Sequence, residues 1–295
     1  MRRAARRAVL ALAIWCAAIQ IVAVRAAGAA RIVSTSPSIT ETLFALGLGD
    51  RVVGVSMYCR FPEIVKTLPK VGTFLKPDAE LIAKLRPDLV FIHPGPNDVV
   101  RQLASLNIRS VTVARGALPS VYASIRSIGS AAEVPGRADE LVAALQHHLD
   151  AVRAAVAGRM RKKVLVIVGR RPGTLTDLVA VGRDSYLSEL VDIAGGSNVL
   201  GGAGLPEYPR ISMETVIRLA PDVIVDAGDM GDTPAERKRR EAATLNAWSA
   251  QTAVAAVGQH GVHPVMSDAF VVPGPRVVEV ADTLASWLHG VEIKE

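Results

Sequence analysis

The chain has 295 residues, half of them hydrophobic and 21% charged, which excludes a disordered, collagen-like or coiled-coil protein. At the usual size of roughly 150 residues per domain, one large or two modest domains are expected. The formal charge of +6 would suit nucleic acid, but Arg2, Arg3, Arg6, Arg7 and Arg25 fall in the first 30 residues, which hold no acid. The remaining 29 basic and 28 acidic residues nearly cancel, so no nucleic-acid partner is expected.

Residues 1–30 read as a signal peptide, with a basic start, an uncharged run over 8–24, and small residues ending in a cleavage site near Ala29. The run falls short of the roughly 20 residues of a spanning helix, and retention as an anchor is the alternative. The mature protein is therefore expected in the periplasm. Trp15 precedes Cys16 where a lipid-attachment signal needs a small residue, so Cys59 is the one mature cysteine. A half-buried free thiol is expected there, since its sequence neighbourhood offers only Arg60 as an activating base.

From residue 31, strands are expected at 31–34, 52–55, 89–92 and 110–113, and helices at 39–46, 79–85, 98–106 and 119–132. Over 137–159, Leu141, Val142, Leu145, Leu149, Val152 and Val156 recur at spacings of three and four. That stripe predicts one helix of about 22 residues, roughly 33 Å long. Further strands follow at 164–168, 223–225 and 262–265, with helices at 185–193, 213–219, 234–248 and 277–287. The alternation marks an α/β protein. The expected plan is two α/β lobes, 31–136 and 160–295, joined by a backbone helix over 137–159, with a ligand cleft between them. An ordinary long core helix is the alternative to this strut.

A repeat favours the strut. Glu80 and Glu214 each open a short apolar helix, with Lys84 or Arg218 four positions on and Pro87-Asp88 or Pro221-Asp222 seven positions on. Asp78 and Ser212 are placed to cap, each glutamate favours the positive helix end, and each proline stops the helix.

The chain carries no nucleophile elbow, phosphate loop, full dinucleotide fingerprint or paired-histidine zinc motif, so no catalytic residue, metal or cofactor is expected. The alternative is an exported α/β enzyme using a carboxylate or His93. That histidine follows the strand at 89–92, where α/β folds collect ligands. His147, His148 and His289 are expected on solvated faces. Among the aromatics, Phe44, Phe91, Tyr122, Tyr186, Trp248 and Trp287 fall in regular elements and are expected in the core. Tyr58, Phe61, Phe74, Tyr208 and Phe270 fall in Pro/Gly-rich segments, where rigid rings suit a wide apolar ligand.

The segments RIVSTSPSITE (31–41), VGVSMYCRFP (53–62) and KVGTF (70–74), together with the two Glu-x6-Pro-Asp units, resemble the extracytoplasmic solute-binding proteins of ABC importers for vitamin B12 and iron chelates. The resemblance spans residues 31–290. It implies a monomeric, non-enzymatic binding protein with two α/β lobes, one cleft and little hinge motion. It places Tyr58, Phe74, His93 and Tyr208 against the cargo, beside the loop aromatic Phe270, with Asp268 as a polar contact. Glu80 and Glu214 would pair with arginines of the membrane permease, one per lobe. Cobalamin or a related corrinoid is the implied cargo. Two alternatives remain: a ferric siderophore held by Arg60, Arg170, Arg171 or Arg210, or haem ligated by His93 or Tyr208.

Overall fold

The computed structural model describes residues 29–95, 98–202, 204–231 and 233–293, so the expected signal peptide, apart from Ala29 and Ala30, lies outside the described residues. The amino-terminal half contains β1 (Ile32–Ser34), α1 (Pro37–Ala45), β2 (Val52–Val55), α2 (Ala79–Lys84), β3 (Leu89–Ile92), α3 (Val99–Ser105), β4 (Ser110–Thr112) and α4 (Leu118–Ala131). Its strands form one parallel sheet in the order β2-β1-β3-β4. Every residue of β1 and β3 is buried, which is why both read as unbroken runs rather than alternating ones.

Next comes α5 (Pro135–Ala155), 21 residues and about 30 Å long. It begins before the expected residue 137 because a proline costs nothing in the first turn, and it ends before Gly158, whose φ of +74 turns the chain. Its stripe is divided between two cores. Ala138, Val142 and Leu145 pack with Ile125 and Ile128 of the first lobe. Leu149, Val152 and Val156 pack with Leu190 and Leu284 of the second. Burying each valine or leucine is worth about 1.5–3 kcal/mol, so both lobes hold the helix firmly.

The carboxyl-terminal half contains β5 (Lys162–Gly169), β6 (Leu178–Ala180), α6 (Tyr186–Ile193), β7 (Gly196–Asn198), β8 (Arg210–Ile211), α7 (Met213–Leu219), β9 (Val223–Asp226), α8 (Pro234–Ser249), α9 (Ala255–Gly258), β10 (Val262–Pro264) and α10 (Val277–His289). The sheet order is β10-β9-β5-β6-β8, with β7 pairing the start of β5. β10, β9, β5 and β7 run parallel, whereas β6 and β8 are antiparallel additions. β6, β7 and β8 are not among the strands expected from the sequence; they are two or three residues long and, in β7 (Gly-Ser-Asn) and β8 (Arg-Ile), carry no apolar run.

The two repeated units have the same local design. The Asp78 carboxylate accepts from the Glu80 and Leu81 amides at 2.9 and 3.0 Å. The Ser212 hydroxyl accepts from the Thr215 amide at 3.3 Å. Each proline-linked aspartate then clamps the opening of its lobe's first strand: Asp88 Oδ2 accepts from the Arg31 amide (2.8 Å) and Asp222 Oδ2 from the Lys163 amide (2.7 Å). The backbone bonds return in matching fashion, from Asp88 N to Arg31 O at 2.9 Å and from Asp222 N to Lys163 O at 2.8 Å.

The lobes also meet outside the linking helix. The Leu118 amide donates to Glu189 at 3.1 Å, and Tyr122 and Val278 pack against both cores. His148, expected on a solvated face, instead bonds Asp282 at 2.8 Å and ties α5 to α10. Among the described residues no helix is long and apolar enough to cross a membrane.

Candidate functional site

The parallel strands send their carboxyl-terminal loops toward the interlobe face, the side on which open α/β sheets take ligands. After β2, the Met57 amide donates to Gly72 O at 2.9 Å and fastens this loop to the turn carrying Phe74. Gly72 has φ +96, and a Cβ there would stand 2.6 Å from Lys76 O, so only glycine fits. Tyr58 and Phe74 are thereby set edge to face, with centroids 5.9 Å apart and planes at 64°. Both rings remain largely open, 46% and 40% exposed.

In the second lobe, the segment before β8 lies along β6 through Gly182 N to Glu207 O (2.7 Å) and Ala180 N to Pro209 O (2.9 Å). A Cβ on Gly182 would lie 2.3 Å from Pro206 O, so this approach also requires glycine. Tyr208 is held with its hydroxyl 3.4 Å from Ser185 Oγ and its ring 40% exposed. Burial pushes the phenol pKa up, Ser185 opposes the shift and Glu207 adds to it. Arg115, just beyond β4 of the other lobe, is the least of the influences on this phenol and opposes the shift.

Between these walls lies a charged node. Arg276, immediately before α10, grips Glu41 of α1 with Nε and Nη2, and the same Nη2 donates to Asp268 at 2.9 Å. Its guanidinium carbon lies 4.4 Å from the centroid of Phe61. Glu41 is buried, and desolvation raises its pKa against the opposing pull of Arg276. The pairing joins positions 235 residues apart, and sequence reasoning does not find it. The available signal is modest: Glu41 is the one charged residue in α1.

His93 has both ring nitrogens engaged. A carbonyl can only accept, so Nδ1 donates to Val113 O at 3.0 Å, and in the neutral ring Nε2 accepts from the Ser38 hydroxyl at 3.0 Å. Burial lowers its pKa, consistent with the neutral form. The imidazole ties β3 to α1 and β4, and the lone pair an iron would need is taken by Ser38.

Phe270 requires a correction. It is 3% exposed, stacks on Trp287 with centroids 5.7 Å apart, and its carbonyl accepts from the Tyr186 hydroxyl at 2.9 Å. The short 3₁₀ turn Asp268–Val271 explains this, because residues three apart share a side and the two between them, Ala269 and Phe270, turn inward. Asp268 and Val271 stay accessible while Phe270 joins the core. Arg170 is likewise withdrawn from the anion-binding set, being buried against Asp226 (3.0 Å), Asp229 and Thr244. Arg171 pairs with Asp177 at 2.9 Å. Cys59 is fully buried rather than half-buried, 3.1 Å from Thr40 Oγ1, and burial pushes its thiol up to about 11.

Glu80 and Glu214 are both exposed, one on each repeated helix, and neither forms an ion pair among the described residues. Among those residues no group of three or more His, Cys, Asp or Glu is placed to hold a metal. Grooves of about 440 and 860 Å³ lie elsewhere, against the end of α10 and the turn at Arg159–Lys162, and contain none of the loop aromatics.

Comparison with known proteins gives a consistent picture. Over 273 residues the chain is 30% identical to an uncharacterized ABC transporter substrate-binding lipoprotein of Bacillus subtilis (strain 168), covering 90% of this chain and 82% of that one. Over 212 residues it is 29% identical to the vitamin B12-binding protein of Yersinia pestis (strain Pestoides F), covering 71% and 74%. The apo periplasmic heme-binding protein of Roseiflexus sp. RS-1 superposes with a TM-score of 0.73 at 26% identity, over 88% of this chain and 99% of that one. The family described as periplasmic binding protein matches residues 32–257, and the chain belongs to it.

Proposed function

We propose that this substrate-binding protein serves an ABC importer and that its cargo is cobalamin or a related corrinoid, captured outside the cytoplasm and delivered to the membrane permease. The observation that carries the reading is the pair of exposed ring faces, Tyr58 with Phe74 on one lobe and Tyr208 on the other, each fixed by a glycine-dependent backbone contact. Such rings give a wide flat ligand contact area at low entropic cost. The vitamin B12-binding relative supports the corrinoid choice. Glu80 and Glu214, exposed on the repeated helices of opposite lobes, suit charge-assisted pairing with basic residues of the permease. Asp268 keeps part of its carboxylate open as a hydrogen-bond acceptor next to the Arg276–Phe61 stack, and His93 braces α1 against the end of β4.

Haem is the second reading, favoured by the heme-binding structural relative. With His93 Nε2 occupied, Tyr208 is the residue left to ligate iron. Titration of the purified mature protein with cyanocobalamin, followed by competition with cobinamide, haem and ferric siderophores, separates these cargoes. One-to-one saturable cyanocobalamin binding is expected, and none at about 50 μM, a weak affinity for a binding protein, would refute the corrinoid assignment.

A further inference from the structure

The node around Arg276 fixes more than the lobes' relative position. Its guanidinium donates two hydrogen bonds along one edge to Glu41 and one more from Nη2 to Asp268, and its face covers Phe61. Only about a tenth of the Arg276 side chain is exposed, whereas Phe61 is 46% exposed and Asp268 keeps 27% of its side-chain surface open. Asp268 Oδ2 has no partner among the described residues. One cation is thus set between two carboxylates, and the accessible part is an acceptor oxygen beside an aromatic ring.

We propose that Arg276 is a specificity-determining residue of the cleft, spending its charge on Glu41 and Asp268 so that the floor favours cargo presenting amide N–H donors over cargo presenting carboxylates. This rests on the cleft reading above and adds the chemical class of the cargo's periphery. Arg276 Nη1 still offers N–H groups, so the balance of charge, rather than a lack of donors, sets the preference. A carboxylate arriving at this floor meets a net single negative charge at short range, an effect of about tenfold in affinity where solvent screens only in part. Arg276 also acts as a positioning residue, since it holds Phe61 of one lobe and Asp268 of the other in one rigid frame.

The test compares ligands that share a ring and differ only in their edge groups: dicyanocobinamide, edged by amides, and dicyanocobyrinic acid, edged by carboxylates. Wild-type protein is expected to prefer the amide by about tenfold or more. Glu41→Gln removes one negative charge, keeps an acceptor for Arg276, and is expected to narrow that ratio about tenfold. Arg276→Lys keeps the charge but loses the fork and the stacked face. It is expected to weaken both ligands together while leaving their ratio within about threefold. Thermal melts confirm that each variant is folded. An unchanged ratio in folded Glu41→Gln, or no amide preference in the wild type, overturns the inference. If neither corrinoid binds, the corrinoid reading falls, and the same ratio is taken from haemin and its dimethyl ester, which differ only in free carboxylates. A preference for the free acid there, or no binding of either, overturns the charge argument too.

Discussion

Replacement of Tyr208 by alanine tests the cleft most directly. The side chain is 40% exposed, and a tyrosine carries about 200 Å² of surface, so about 80 Å² stands open to cargo. Covering that area is worth about 2 kcal/mol at about 25 cal/mol per Å². Tyr208→Ala is therefore expected to weaken cyanocobalamin binding about 30-fold, read by isothermal titration calorimetry. Tyr208→Phe keeps the ring and gives up only the long 3.4 Å contact with Ser185, so it is expected to stay within about threefold of wild type. A melting curve accompanies each variant, because the loop also packs along β6 through Glu207 and Pro209. Unchanged affinity in folded Tyr208→Ala would refute the reasoning and make the ring an anchor for its own loop.

Three further outcomes are expected. Glu80→Lys combined with Glu214→Lys should abolish ligand uptake into permease-containing vesicles while leaving ligand affinity unchanged; a matching loss of affinity would give the two acids a structural role. Cys59, with its thiol pushed up to about 11 and its surface buried, should react with Ellman's reagent only after denaturation, and rapid labelling of the native protein would contradict that packing. His93 has a folded-state pKa below the ordinary 6.5, so its contribution to stability is complete above that value and drains away as pH falls through the lower one. Urea midpoints at about pH 7.5 and about pH 5 should accordingly fall less in His93→Gln than in wild type, and equal falls would remove His93 as a source of acid sensitivity.

The elements legible in the sequence are those whose burial imposes a period or an unbroken run. β2 and β3 fall at the expected residues, and the stripe on α5 predicts which of its side chains enter the cores. Loop aromatics were legible in part. Tyr58, Phe61, Phe74 and Tyr208 are open as expected, but Phe270 is not, because the direction of a side chain in a 3₁₀ turn depends on the turn's register. Contacts between residues distant in sequence were invisible. Glu41 and Arg276 each look like an ordinary charge until the lobes bring them together, and Arg170 looks like a free cation until Asp226 and Trp248 are folded around it. Composition locates such residues without pairing them.

The division of α5 between two cores has a mechanical meaning. A rod whose first half is embedded in one lobe and whose second half is embedded in the other cannot act as a slack tether, since swinging either lobe would draw Val142 or Leu149 out of its packing. The protein therefore resembles a spring clip more than a pair of jaws. On the proposed function, cargo loading is expected to deform it little, and the work of unloading would fall to a partner that grips both lobes at once.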